Sequence, residues 1–129
     1  MENKKELLIN YIKANVAPIL TNLLTKNDLP NLIIIPSDIS INNLTGYFDG
    51  VIFKIPSWYE NIISNKNKIL VIDNIDAISK SEQQKFIEIL KYKKVGTLNL
   101  PDDTVIILTA TNINKDTINE VIYSLCAHI

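Results

Sequence analysis

Ile69-Leu70-Val71-Ile72-Asp73-Asn74-Ile75-Asp76 decides how this chain is read. Four apolar residues, three of them β-branched, run straight into an acid. Such a run, from Lys68 to Ile72, predicts a strand buried on both faces, which belongs in a parallel sheet rather than a half-wet antiparallel one. A second run of the same kind, Val105-Ile106-Ile107-Leu108-Thr109-Ala110-Thr111-Asn112, predicts another buried strand over residues 104–109 and ends in hydroxyls and an amide. Ligands in open parallel sheets collect at the carboxyl ends of strands. If the two strands are neighbours, Asp73 and Asn112 lie at one edge.

Between these strands, Ser79-Lys80-Ser81-Glu82 fits a capping box. Phe86, Ile87 and Leu90 follow on one helical face, and Lys91, Lys93 and Lys94 suit the negative end of that helix. Gly96 closes the unit. After the second strand, Ile118, Val121, Ile122 and Leu125 recur at i, i+3, i+4 and i+7, which predicts a helix from about Lys115 to Leu125. Before the first strand, Leu32 to Ile35 is a short β-branched run ending in Pro36-Ser37-Asp38, expected as a buried strand. Val51 to Ile55 alternates weakly, as a strand or one arm of a hairpin. Residues 57–64 predict a short helix capped by Ser57, with Trp58, Ile62 and Ile63 inward. Residues 4–26 read as one helix on the stripe Leu8, Ile12, Val16, Ile19 and Leu23, kinked or divided by Pro18. Asn27-Asp28-Leu29-Pro30 reads as its stop and turn. Strands alternating with helices predict an α/β three-layer sandwich with a mostly parallel sheet.

Composition narrows the function. A chain of 129 residues makes one domain, here residues 1–129. Apolar runs of four or five residues fall far short of the ~20 needed to span a bilayer. The start, Met1-Glu2-Asn3-Lys4-Lys5-Glu6, is charged and unlike a signal peptide. One cysteine, Cys126, excludes an internal disulfide and fits a reducing cytoplasm. The net charge of −1 gives no electrostatic case for nucleic acid. All thirteen basic residues are lysines, so no arginine can serve as a finger or a bidentate phosphate clamp.

An apolar strand ending in acid, a helix, then an apolar strand ending in Thr-x-Asn resembles the Walker B and sensor 1 region of an AAA+ ATPase. Further landmarks keep their order: Pro36-Ser37-Asp38, Leu44-Thr45-Gly46, Asp49-Gly50, Pro56-Ser57-Trp58, Gln83-Gln84, Lys94-Val95-Gly96 and Leu100-Pro101-Asp102. Over roughly residues 33–129 this succession is similar to MoxR-type AAA+ proteins. A looser resemblance is to clamp-loader subunits, carried by the Ser-Asp after an early strand and by Ser124-Leu125-Cys126 in the manner of Ser-Arg-Cys. The resemblance implies a truncated AAA+-like core without the lid domain, since the chain ends at Ile129.

The departures from the family set the functional expectation. A Gly-rich phosphate loop ending in Lys-Ser or Lys-Thr is missing, because the first of the three glycines is Gly46. Either the helix at residues 4–26 is the one that normally follows the loop, or Leu32–Ile35 is the first strand with Asp38–Asn43 in the loop's place. Asp73 matches the magnesium-associated acid, but Asn74 stands where the family has a glutamate base, and an amide cannot take that proton. Leu125 holds the arginine-finger position, and Asn112 the sensor 1 position. No ATP hydrolysis by this chain alone is therefore expected, and no cofactor or metal. The expected role is a non-catalytic interaction module. By resemblance its partner is an AAA+ subunit or a von Willebrand factor A-type protein. The alternatives are a nucleotide-dependent subunit completed in trans and a clamp-loader-like structural subunit of a replication complex.

Simpler readings stand beside these. Asp73 and Asp76 read as a strand-end acid and a loop acid that caps the following segment. Asn112 reads as an Asx turn before the last helix. His128 sits in a frayed tail, and with Cys126 it falls short of a tetrahedral zinc site. Trp58 and Tyr59 read as packing, and the lysine cluster as a solvated helix end.

Overall fold

A computed structural model of the chain describes residues 3–23, 32–64 and 69–129. Its centre is a five-stranded, all-parallel sheet. The strands are β1 (Ile19–Thr21), β2 (Leu32–Pro36), β5 (Ile69–Asp73), β8 (Val105–Thr109) and β9 (Ala127–His128), in the order β2-β5-β8-β1-β9. Two small antiparallel hairpins lie outside it: β3 (Tyr47–Phe48) with β4 (Phe53–Lys54), and β6 (Lys94–Val95) with β7 (Leu98–Asn99). The helices are α1 (Lys4–Ala14), α2 (Ile41–Thr45), α3 (Ser57–Ser64), α4 (Lys80–Gln83), α5 (Ile87–Tyr92) and α6 (Glu120–Leu125).

Alternation along the strands sorts the core into two layers. Leu70, Ile72, Ile106 and Leu108 face Trp58 and Ile62 of α3, Ile89 and Leu90 of α5, and Ile122 of α6. Val71, Val105, Ile107 and Ile19 face the other way, onto Leu8 and Ile12 of α1. All five residues of β8 are buried, as are Leu70, Val71 and Ile72 of β5. This is the three-layer α/β sandwich that the two apolar runs predict. Among the described residues no helix is long and apolar enough to cross a membrane.

The N-terminal stretch departs from its reading as one helix. α1 ends at Ala14, where Asn15 turns left-handed (φ 49°, ψ 45°) and its N–H donates to the Tyr11 carbonyl. Val16 is 83% exposed, and Ile19, Leu20 and Thr21 form a fully buried strand between β8 and β9. Pro18 has no N–H to give a helix, and its carbonyl accepts from Ala127 in the sheet instead. The continuous stripe is two elements whose apolar positions fall in step. Both placements of the missing phosphate loop rely on that helix or on β2 as the first strand, and β1 displaces both. Residues 24–26, the turn at 27–30 and Lys68 lie outside the described residues.

Three further differences concern helix ends. The Pro56 carbonyl accepts from the Tyr59 and Glu60 N–H groups, so Ser57 begins α3 rather than capping it. Ile63 is half exposed rather than inward. The last helix spans only Glu120–Leu125, because Asn119 caps it by accepting from the Val121 and Ile122 N–H groups. Residues 115–117 form a turn held by Asn114, whose Oδ1 accepts from the Asp116 and Thr117 N–H groups.

Candidate functional site at the carboxyl edge of the sheet

β5 and β8 are parallel neighbours, with Ile72 opposite Leu108. Their carboxyl ends therefore meet, and the residues just beyond them build the edge that the sequence singles out. Thr109, buried as the last residue of β8, is its keystone. Its hydroxyl donates to Asp73 Oδ1 at 2.8 Å and accepts from the Asn74 backbone N–H at 2.9 Å. On the other side of Asp73, Ser37 Oγ donates to the Asn74 carbonyl at 2.7 Å, and the Ser37 N–H donates to the Asp73 carbonyl at 3.1 Å. One hydroxyl from β8 and one from the end of β2 thus lock the turn leaving β5.

Asn74 has a backbone reason to be asparagine. It takes the left-handed conformation (φ 55°, ψ 57°) between β5 and the 3-10 turn Ile75–Ala77. Among non-glycine residues Asn and Asp tolerate that region best. A glutamate there, as in the resembled family, would be strained.

At this edge the acid that reaches Asn112 is Asp76, and it does so through the backbone. The Asp76 carboxylate accepts from the Thr111 N–H at 3.0 Å and the Asn112 N–H at 2.9 Å. Asp76 is therefore a loop acid that caps the segment leaving β8, 35 and 36 residues further along, rather than the turn next to it. Asn112 does not form the expected Asx turn; Asn114 does. The Asn112 carbonyl accepts from the Thr117 hydroxyl at 2.9 Å.

Pro36, Ser37, Asp38, Asp73, Asn74, Ala77 and Ile78 line a cleft of about 220 Å³ at this edge. Small-molecule sites usually run from about 300 to about 1,000 Å³, so the cleft is small for a nucleotide. No group of three or more His, Cys, Asp or Glu side chains among the described residues is placed to hold a metal ion.

Away from this edge, Gln83, which the sequence offers only as a landmark of the resemblance, is a buried joint. Its Nε2 donates to the Ile78 and Thr117 carbonyls, and its Oε1 accepts from the Asn119 N–H at 2.7 Å. It ties α4 to the cap of α6. Leu125, which the resemblance would place at an arginine-finger position, is half-buried against the main core.

A larger cleft, about 540 Å³, is lined by Lys115, Glu120, Tyr123, Ser124, Cys126 and His128. His128 is not in a frayed tail. It belongs to β9, the edge strand paired with β1, and its Nε2 lies 2.6 Å from the Tyr123 carbonyl. Burial pushes the Cys126 thiol up to about 12, which keeps it protonated and unreactive at neutral pH.

Trp58 and Tyr59 act as packing groups. Trp58 is buried with its indole N–H on the Asn43 carbonyl, and the Tyr59 hydroxyl donates to the Asn99 carbonyl. In the lysine cluster, Lys91 and Lys94 are exposed, while Lys93 caps α5 and donates to the Asp102 carbonyl.

The keystone role of Thr109 needs the strand register, which fixes which of two threonines faces Asp73. The sequence offered only the signal that β8 ends in hydroxyls. No protein-family model matches the chain, and no curated protein matches it.

Proposed function

We propose that this chain is a non-catalytic AAA+-like module, a pseudo-ATPase that works by docking on another protein. The observation that carries this reading is the hydrogen-bond network that ties Asp73 and Asn74 to β8 and to the end of β2. The acid at the Walker B-like position is engaged by Thr109, and both backbone polar groups of Asn74 are bonded to side chains of neighbouring strands. An edge built this way joins strands.

Several features support it. The parallel pairing of β5 with β8 suits the resemblance, which needs the acid-ended strand and the Thr-x-Asn-ended strand at one edge. A phosphate loop stands between a strand and a helix, yet residues 22–31, which follow β1, hold no glycine. Asn74 cannot act as a base, and Leu125 cannot act as a cationic finger. The partner class is an AAA+ subunit or a von Willebrand factor A-type protein, which rests on the MoxR-type resemblance. A cytoplasmic setting goes with this reading and rests on the lone cysteine.

Calorimetry with magnesium and ATP tests the non-catalytic half directly. The expected result is no binding tighter than about 1 mM. A dissociation constant in the micromolar range would show that this edge holds nucleotide, and the reading would fall.

A further inference from the structure

The five-stranded sheet has two flanking strands, β2 and β9, and their outer sides differ. Along a parallel strand the backbone groups point alternately to one side and the other. In β2 the Ser37 N–H bonds toward β5, so Leu32, Ile34 and Pro36 direct their backbone groups outward. Pro36 has no N–H to offer there, and its carbonyl already accepts from the Ile39 N–H. In β9 the Ala127 and Ile129 N–H groups bond to the Pro18 and Leu20 carbonyls, on the β1 side. The outward groups are therefore the N–H and carbonyl of His128 and the carbonyl of Cys126, which is itself extended (φ −98°, ψ 147°). Among the described residues none bonds to the His128 N–H or carbonyl. β9 holds no proline or lysine to guard it.

Beside this open strand lies the cleft of about 540 Å³, walled by Cys126 and His128 on one side and by Glu120, Tyr123 and Ser124 of α6 on the other. Its volume is that of a ligand site, about 300 to about 1,000 Å³. Cys126 and His128 are two residues apart, so their side chains share one face of the sheet, the face that α6 covers. The wall is fixed. A carbonyl only accepts, so His128 Nε2 carries the proton of its 2.6 Å bond to Tyr123, and the two rings meet edge to face at 4.2 Å. The Tyr123 ring and the uncharged Cys126 thiol give the cleft apolar surface.

Pairing and face together select the occupant. A residue directly opposite His128 in an antiparallel, hydrogen-bonded pair exchanges two bonds with it. Its side chain then stands on the same face as His128, over the cleft. A second copy suits this poorly, because across a two-fold axis the residue opposite is another His128 or Cys126. The first is held by its own Tyr123 and the second is packed on its own core, so neither reaches into the facing cleft. An extended segment of a different protein has no such limit, and a large apolar side chain suits the Tyr123 ring and the thiol.

We propose that β9 takes up an extended peptide segment of a partner protein as a sixth, antiparallel strand, with the side chain opposite His128 seated in the cleft beside α6. Main-chain bonds supply affinity in such strand addition, and the pocket supplies specificity. The inference rests on the reading of the chain as a docking module, and it states where the docking occurs.

An NMR titration of the full chain with the peptide acetyl-Thr-Val-Phe-Val-Thr-amide, up to about 2 mM, tests this. The expected result is a dissociation constant of about 1 mM or below, with the His128 amide proton moving downfield as it gains a bond. N-methylating the peptide's phenylalanine removes the N–H that meets the His128 carbonyl, and replacing that residue by alanine empties the cleft. Each change should weaken binding about tenfold. On the chain, His128→Pro removes the outward N–H and Ser124→Trp fills the cleft, each again weakening binding about tenfold. Ser124 is exposed and belongs to neither core cluster, so its replacement leaves folding and the circular-dichroism spectrum intact. No shift of the His128 amide at about 2 mM peptide overturns the proposal. So does equal binding of the N-methylated peptide, or binding that Ser124→Trp leaves unchanged. Concentration-dependent dimerisation that Ser124→Trp breaks would make this strand a contact between copies and overturn it as well. All of these outcomes are separate from the ATP titration, where micromolar binding would remove the docking reading itself.

Discussion

At the carboxyl edge of the sheet, Asp73, Asn74, Asp76 and Thr109 are bonded to one another or to nearby backbone. At the β3–β4 hairpin, six apolar side chains face outward from a turn that is itself well bonded. In the sequence the edge has a chemical character, with acids, hydroxyls and an amide in a suggestive order. The hairpin reads there only as a weakly alternating strand or hairpin arm from Val51 to Ile55. In the folded chain their promise is reversed. Polar groups that satisfy each other leave little for a ligand to replace, because a new partner must first break bonds already made. Apolar surface left in water gains on being covered, at roughly 25 cal/mol per Å² before the costs of association. The edge is a joint between strands, and the hairpin is apolar surface left in water.

The comparison can be broken first at Thr109. Thr109→Val keeps the shape but removes the hydroxyl, leaving Asp73 and the Asn74 N–H without their shared partner. The cost should be about 2 kcal/mol, within the range for a buried polar group left unsatisfied. For a domain of this size that lowers Tm by roughly 5–10 °C, readable by thermal denaturation. A melting curve within a degree of the parent would mean that water replaces the hydroxyl and the edge is open.

A smaller effect is expected from Asp73→Asn. The amide oxygen can still accept from Thr109, so the network keeps its central bond. Stability should change by about 1 kcal/mol or less in either direction. If the same substitution abolished magnesium or nucleotide binding in a titration, the acid would be a ligand after all and the contrast with the hairpin would fail.

How much of this is legible in the sequence depends on element length and on which residue supplies the partner. β5 and β8 announce themselves as four or five apolar residues in a row, and Ser79 announces α4, where its hydroxyl does accept from the Glu82 N–H. β1 is three residues long, all buried, and Ile19 happens to continue the spacing set by Leu8 and Ile12. Periodicity cannot separate two short elements that fall in step. β3, β4, β6, β7 and β9 have two residues each, too few for any pattern. At the site, Asp73 stands out because an acid after an apolar run is unusual. Thr109, Ser37 and Gln83 act through groups many positions away, and their roles appear only with the register. Asn74 reads in sequence as a lost base, while its left-handed backbone gives the residue a local reason of its own.

The smallest and most local effect concerns Asp49, the one charge built into the apolar tip. The Ile52 N–H, then the Val51 N–H, and to a lesser degree Lys54 hold its carboxyl below the ordinary value of 3.8. The sign follows from linkage. A carboxyl whose folded value is lowered contributes stability that is fully present above its unfolded value and is lost as pH falls through the folded one. The turn should therefore stay closed at neutral pH and loosen only below about pH 4. Asp49 is open to solvent, so salt and water damp the effect, and its place to be seen is the turn itself. The Val51 and Ile52 amide resonances, followed by NMR from about pH 6 to about pH 2, should move together with a midpoint below 3.8. They report directly because their protons lie on the titrating oxygen. A midpoint at or above 3.8 would show that the carboxylate is not held. The apolar tip would then be a loose loop, and a loose loop must be ordered before anything can pack on it, which removes the advantage that sets the hairpin apart from the edge.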